Sequence, residues 1–133
     1  MKSLVKNLGR KTQVISAIMG VIFLTLGIPV ASAHTTLIAS NPARNAALSK
    51  LPSKITLTFE DPLLTLGKTA LNHVLVTDPM GMVITSGIDV VKGAAVTDVF
   101  KSRQATSGKY SVSYRVSAQD GHIVIGKFTF SVK

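Results

Sequence analysis

Three stretches of this chain alternate strictly between apolar and polar residues, and a period of two excludes most folds. Ile55, Leu57 and Phe59 are separated by Thr56 and Thr58. Tyr110, Val112, Tyr114 and Val116 alternate with Ser111, Ser113 and Arg115, and Phe128, Phe130 and Val132 alternate with Thr129 and Ser131. Successive side chains of an extended strand point to opposite faces, so each stretch reads as a strand with one buried face. Weaker strands are expected at residues 35–39, 74–77, 82–86 and 95–100, with turns at Asp78-Pro79-Met80-Gly81 and Ser107-Gly108. Only residues 63–71 offer a helical turn, and it is short. About seven short strands predict an all-β fold, a small antiparallel Greek-key β-barrel or Ig-like sandwich.

The first 33 residues follow a different rule. Lys2, Lys6, Arg10 and Lys11 make a basic start, and no acidic residue precedes His34. An apolar run follows over residues 14–30, broken by Gly27 and Pro29 just before Ala31-Ser32-Ala33. This basic–apolar–small order is that of a secretory signal, and Ala-x-Ala is what a signal peptidase cuts after. The run is short for a bilayer-spanning helix of ~20 residues. The expectation is therefore a cleaved signal at 1–33 and a mature domain at 34–133. An uncleaved anchor is the alternative, and it would leave His34 without a free amine.

Cleavage leaves 100 of the 133 residues, enough for one domain. Four of the 15 Lys and Arg residues lie in the leader, which leaves 11 against 6 Asp and Glu. These cations are scattered along the sequence and nowhere cluster with aromatics, so they read as a solvated basic surface with no nucleic-acid partner. The chain has no cysteine. An exported domain without disulfides is held by core packing alone, and thiolate metal sites are excluded. The mature domain is expected to be soluble, with no stable membrane span.

The same cleavage makes His34 the first mature residue. Its α-amine and its ring Nδ1 then reach one metal ion together, a chelate that no internal histidine makes. Asp120-Gly121-His122 supplies more donors: residues two apart in extended chain project to one side, and Gly121 lets the backbone bend. Amine, two imidazoles and a carboxylate form an N3O set that suits tetragonal Cu(II). The amine must lose its proton to coordinate, so Cu(II) affinity is expected to fall as pH drops through the imidazole and amine range. His73 reads as an exposed or core-edge histidine. Glu60 and Asp61, before Pro62, end a strand at a turn, and Asp89 and Asp98 read as surface residues. No phosphate loop, nucleophile elbow or zinc-protease helix is present.

These motifs resemble those of the CopC family of exported bacterial copper-binding proteins, along essentially the whole mature chain. His34-Thr-Thr-Leu-Ile-Ala-Ser-Asn-Pro-Ala is similar to that family's H-x-x-L-x-x-S-x-P-A opening. Pro52-Ser-Lys-Ile-Thr-Leu-Thr-Phe-Glu60 resembles its P-x-x-[IV]-x-L-x-F-[ES] strand. Gly108-Lys-Tyr-Ser-Val-Ser-Tyr-Arg-Val-Ser117 with Asp120-Gly-His122 resembles G-x-Y-x-V-x-W-R-V-x-S-x-D-x-H, and Gly126-Lys-Phe-Thr-Phe-Ser-Val132 the closing strand. The resemblance implies a Greek-key β-barrel and a Cu(II) site at His34, Asp120 and His122. It also implies copper resistance or homeostasis in the periplasm and a CopD-like inner-membrane partner. Some members hold Cu(I) at a Met-rich loop with a histidine. The matching stretch here, residues 76–85, offers only Met80 and Met82, and two thioethers without a nearby histidine make a poor soft site. Tyr114 stands where the family often has tryptophan, which changes packing rather than ligation.

Two other function classes use the same features. An N-terminal histidine chelate also serves oxidative copper enzymes, which need a flat aromatic substrate face; this chain has no Trp and two Tyr in what reads as a core strand. A structural β-sandwich with an incidental His34 would bind no copper. The carrier, not an enzyme, is the expected reading.

Overall fold

The computed structural model describes residues 35–67 and 69–133. Eight strands run in chain order: β1 Leu37–Asn41, β2 Ala47–Leu48, β3 Lys54–Phe59, β4 His73–Thr77, β5 Val90–Lys92, β6 Ala95–Val99, β7 Gly108–Ser117 and β8 Ile123–Val132. They form two four-stranded sheets, ordered β1-β3-β6-β5 and β2-β8-β7-β4, packed as an all-β sandwich. The expected strict alternations are the strands that fill it. Ile55, Leu57 and Phe59 are fully buried, as are Val112 and Val116, with Tyr110, Phe130 and Val132 nearly so. Each large side chain withdrawn from water contributes roughly 1.5–3 kcal/mol, and this burial substitutes for disulfides. Two aromatic contacts fill the core: Tyr110 stacks on Phe130 within one sheet at 5.1 Å, and Tyr114 meets Phe59 of the other sheet edge-on at 5.5 Å. Gly126 pairs with Tyr114 across β7 and β8, and a Cβ there would run into the tyrosine ring and hydroxyl. Tyr114 therefore folds inward over a glycine.

Among the described residues the buried apolar core lies between Leu51 and Val132, and no buried side-chain nitrogen or oxygen lacks a hydrogen-bond partner. Among the described residues no helix is long and apolar enough to cross a membrane.

Four expectations change. Eight strands replace about seven, because β2 and β5, two and three residues long, are too short to show alternation. The β2–β8 pairing is parallel, while all other named pairings are antiparallel. The stretch 63–71 has no helical turn: isolated bridges Leu63–Ala118 and Leu66–Thr69 hold it instead. Gly67 takes a left-handed φ of 55° there, and so short a segment cannot offset the cost of nucleating a helix. Nor is 82–86 a strand, so Met82 is not a strand residue.

That last segment has a different task. Val83 bridges Thr77 of one sheet and Thr85 bridges Phe100 beside the other, so the segment crosses between sheets. Its side chains then reach the outer edge of β4. Thr85 Oγ1 accepts from Val76 N–H at 3.3 Å, and Asp89 Oδ1 accepts from Val74 N–H at 3.0 Å. Asp98, read from sequence as a surface residue, is 1% exposed and answers from the facing strand. Its carboxylate accepts the Ser86 N–H at 3.2 Å, the Gly87 N–H at 2.9 Å and the Ser86 hydroxyl. Alternation along Val96, Asp98 and Phe100 puts it inside, and three donors make its burial tolerable.

Candidate metal centre

The longest element pair ends at the candidate donors. β7 and β8 pair over ten residues each, from Gly108–Val132 to Ser117–Ile123, and the connecting turn holds Asp120 and His122. Ala118 N–H donates to His122 O at 2.8 Å, and Gly121 N–H donates to Ala118 O at 2.9 Å, which closes the turn. Gly121 has a φ of 88°, a left-handed backbone that suits glycine. The two donors do converge, though not by the strand alternation expected from sequence. Asp120 Oδ1 accepts the His122 backbone N–H at 3.0 Å, an Asx-type turn, and Asp120 Oδ2 lies 2.8 Å from His122 Nδ1. Both side chains are substantially exposed, 36% for Asp120 and 55% for His122. When Nδ1–H donates to the carboxylate, Nε2 is the ring nitrogen with a lone pair to give.

His34, the third expected ligand, lies outside the described residues. Its neighbour Thr35 is described and is 2% exposed. Thr35 Oγ1 accepts the Asp61 N–H at 2.9 Å, and Glu60 N–H donates to Thr36 O at 2.8 Å. The same strip then reaches the base of the hairpin, where Leu63 bridges Ala118 and Leu64 N–H donates to Ser117 O at 2.8 Å. Residues 60–64 thus join the start of the described chain to the turn that carries Asp120 and His122. Glu60 and Asp61 are exposed and end β3, as expected. Their backbone role was not legible, because nothing in a lone threonine marks it as an anchor.

His73 occupies the start of β4, at the mouth of a cleft of about 390 Å³ lined by the 65–73 and 87–91 segments. Its Nδ1 lies 3.2 Å from Asp89 Oδ2; the histidine side chain is 47% exposed and the aspartate only 7%. Burial holds the Asp89 carboxyl above its ordinary range, against the opposing pull of the Val74 N–H and His73. Asp89 is therefore no surface residue. Met80 and Met82 sit on the Asp78 turn, where Asp78 Oδ1 accepts both their N–H groups, and both are strongly exposed. Among the described residues no three or more His, Asp or Glu side chains come together.

A family model described as the CopC domain matches residues 37–133, a span that starts after His34 and includes Asp120 and His122. Among solved structures, CopC from Methylosinus trichosporium OB3b superposes with a TM-score of 0.61 at 25% identity, covering 75% of this chain and 94% of that one. PcoC from Escherichia coli, described as a methionine rich copper resistance protein, has the same fold. It gives a TM-score of 0.61 at 23% identity, covering 75% of this chain and 99% of its own. No curated protein matches the chain.

Proposed function

The chain belongs to the CopC family, and from that membership we propose that it is an exported copper resistance protein holding Cu(II) as cargo. Residues 1–33 act as a cleaved signal, and cleavage frees the amine of His34. That amine and the His34 ring grip one edge of the ion, the His122 imidazole takes another position, and Asp120 offsets part of the charge. The one observation that carries this reading is the turn of β7 and β8, which holds His122 Nδ1 and Asp120 Oδ2 2.8 Å apart. Two donors brought together by backbone hydrogen bonds lose little freedom when they take up an ion. The anchoring of Thr35, beside His34, to Asp61 supports a common location for the three. The domain would work in the periplasm and pass copper to a CopD-like inner-membrane protein. A role as carrier rather than oxidative enzyme is supported by the burial of Tyr110 and Tyr114, which leaves no tyrosine for a flat substrate face.

Competitive Cu(II) titration with electron paramagnetic resonance tests this on two chains, one beginning at His34 and one with a single extra residue before it. Tight tetragonal binding by the first and a large loss in the second is the expected result. Equal binding by both would move the site away from the amine.

A further inference from the structure

A buried hydroxyl lies one residue beyond His34. Thr35 keeps step with Leu37, which packs against the core, while Thr36 between them is exposed. The Thr35 side chain thus takes an inward position that an apolar residue would fill as well, and a hydroxyl there needs partners. It finds them on one residue: Thr35 Oγ1 accepts the Asp61 N–H at 2.9 Å and lies 3.5 Å from Asp61 O. With Glu60 N–H donating to Thr36 O at 2.8 Å, the side chain adds a rung beyond Leu37–Phe59, the terminal pair of the β1–β3 ladder. The far end of the 60–64 strip is closed by a ring of hydrogen bonds. Leu64 N–H donates to Ser117 O at 2.8 Å, Asn72 Nδ2 donates to Leu64 O at 2.9 Å, and Ser117 N–H donates to Asn72 Oδ1 at 2.9 Å. Asn72 is buried, and at Ser117 β7 ends before the turn of Asp120 and His122. Between the two ends Pro62 has a fixed φ and Leu63 N–H donates to Gly93 O at 2.9 Å, so the strip is held along its length.

We propose that Thr35 is a positioning residue for the copper ion: its hydroxyl, held by Asp61, keeps the amine and ring of His34 at the turn that carries Asp120 and His122. The inference rests on the copper reading above and adds that part of the affinity is set before the ion arrives. The first residues of a chain fray unless something ties them down. A frayed His34 would have to be ordered as the ion binds, and fixing one residue's backbone at that moment weakens binding by about ten-fold. The Thr35 tie fixes it in advance. A threonine that only completes the end of β3 would serve the fold and leave the chelate's affinity unchanged. The two roles separate when the amine is taken away.

The full chain is expressed with its leader, exported and recovered after processing, and mass spectrometry reads its first residue. A second chain carries an alanine inserted between Ala33 and His34, which blocks the amine chelate. Competitive Cu(II) titration of both is repeated with Thr35→Val, which keeps the shape and loses the acceptor, and with Thr35→Ser, which keeps the hydroxyl. In the chain that starts at His34, Thr35→Val should weaken binding about ten-fold and Thr35→Ser less than about two-fold. In the chain with the extra alanine, Thr35→Val should change binding less than about two-fold, because the group it positions no longer chelates. Metal-free protein gives an independent measure: the heteronuclear NOE of the Thr36 amide should fall in Thr35→Val and persist in Thr35→Ser. Circular dichroism confirms that each variant is folded. Equal losses from Thr35→Val in both chains, or no loss in either, would overturn the inference, since a merely structural threonine gives those patterns. So would a Thr36 amide that stays as ordered in Thr35→Val as in the wild type. Equal binding by the two chains without substitution, or a first residue other than His34, fails the copper reading itself and the inference with it.

Discussion

His122 and His73 each meet an aspartate through Nδ1, at 2.8 and 3.2 Å, but the two pairs are assembled by different parts of the chain. Asp120 and His122 are two residues apart, and one turn makes their geometry. Asp89 and His73 are sixteen apart and meet only because the 83–89 segment has folded against β4. The carboxylates differ more than the histidines. Asp120 keeps a third of its side chain in water, whereas Asp89 is almost enclosed and also holds the Val74 N–H. A carboxylate open to solvent changes partners at little cost. A desolvated one that also caps a strand N–H does not. The local pair is thus suited to exchange an ion, and the distant pair to fasten an edge.

The largest expected difference lies in copper binding. His122→Ala should weaken Cu(II) binding on the order of 10²-fold or more, as losing a ligand exceeds losing its support. His73→Ala should leave it within about two-fold by the same competitive titration. Comparable losses would erase the distinction between the pairs. Stability should show the reverse ranking at the aspartates. Asp89→Ala leaves the Val74 N–H without its acceptor and should cost about 1–3 kcal/mol in urea unfolding. Asp120→Ala should cost under about 1 kcal/mol while weakening copper binding less than blocking the His34 amine does.

The smallest effect is a pH dependence. Burial raises the folded-state pKa of Asp89 above its unfolded value. Its contribution to stability is then fully present below the ordinary carboxylate pKa and is lost as pH rises through the raised value. Asp89→Asn should remove this term, so unfolding curves should show wild type losing ground to the variant as pH rises out of the acid range. A gain of wild type over the variant across that range would mean that the bonds to Val74 and His73 outweigh burial.

The strands that build the core were legible because alternation is a direct record of one-sided burial. Ile55, Leu57 and Phe59 announce both their conformation and their inward face. β2 and β5 were not legible, since two or three residues carry no period and exist only where a neighbour supplies the ladder. Asp98 could have been read: it keeps step with Val96 and Phe100, and only the habit of placing lone acids outside concealed it. The Asp120–His122 pair was found, but for a strand reason where a turn is the cause. His73 and Asp89 could not be joined in advance, because residues on different segments share no local signal.

The 83–89 segment closes the edge of β4 partly through its backbone, Ile84 N–H donating to Val76 O at 2.9 Å, and partly through side-chain oxygens. An exposed strand edge is a template on which a second copy can add, and growth from copy to copy is how β-rich proteins become fibrils. Here the two outward N–H groups of Val74 and Val76 are already answered, by Asp89 and Thr85. The chain has no disulfides to restrain it, and along β4 it leaves its neighbours no open ladder on which to assemble.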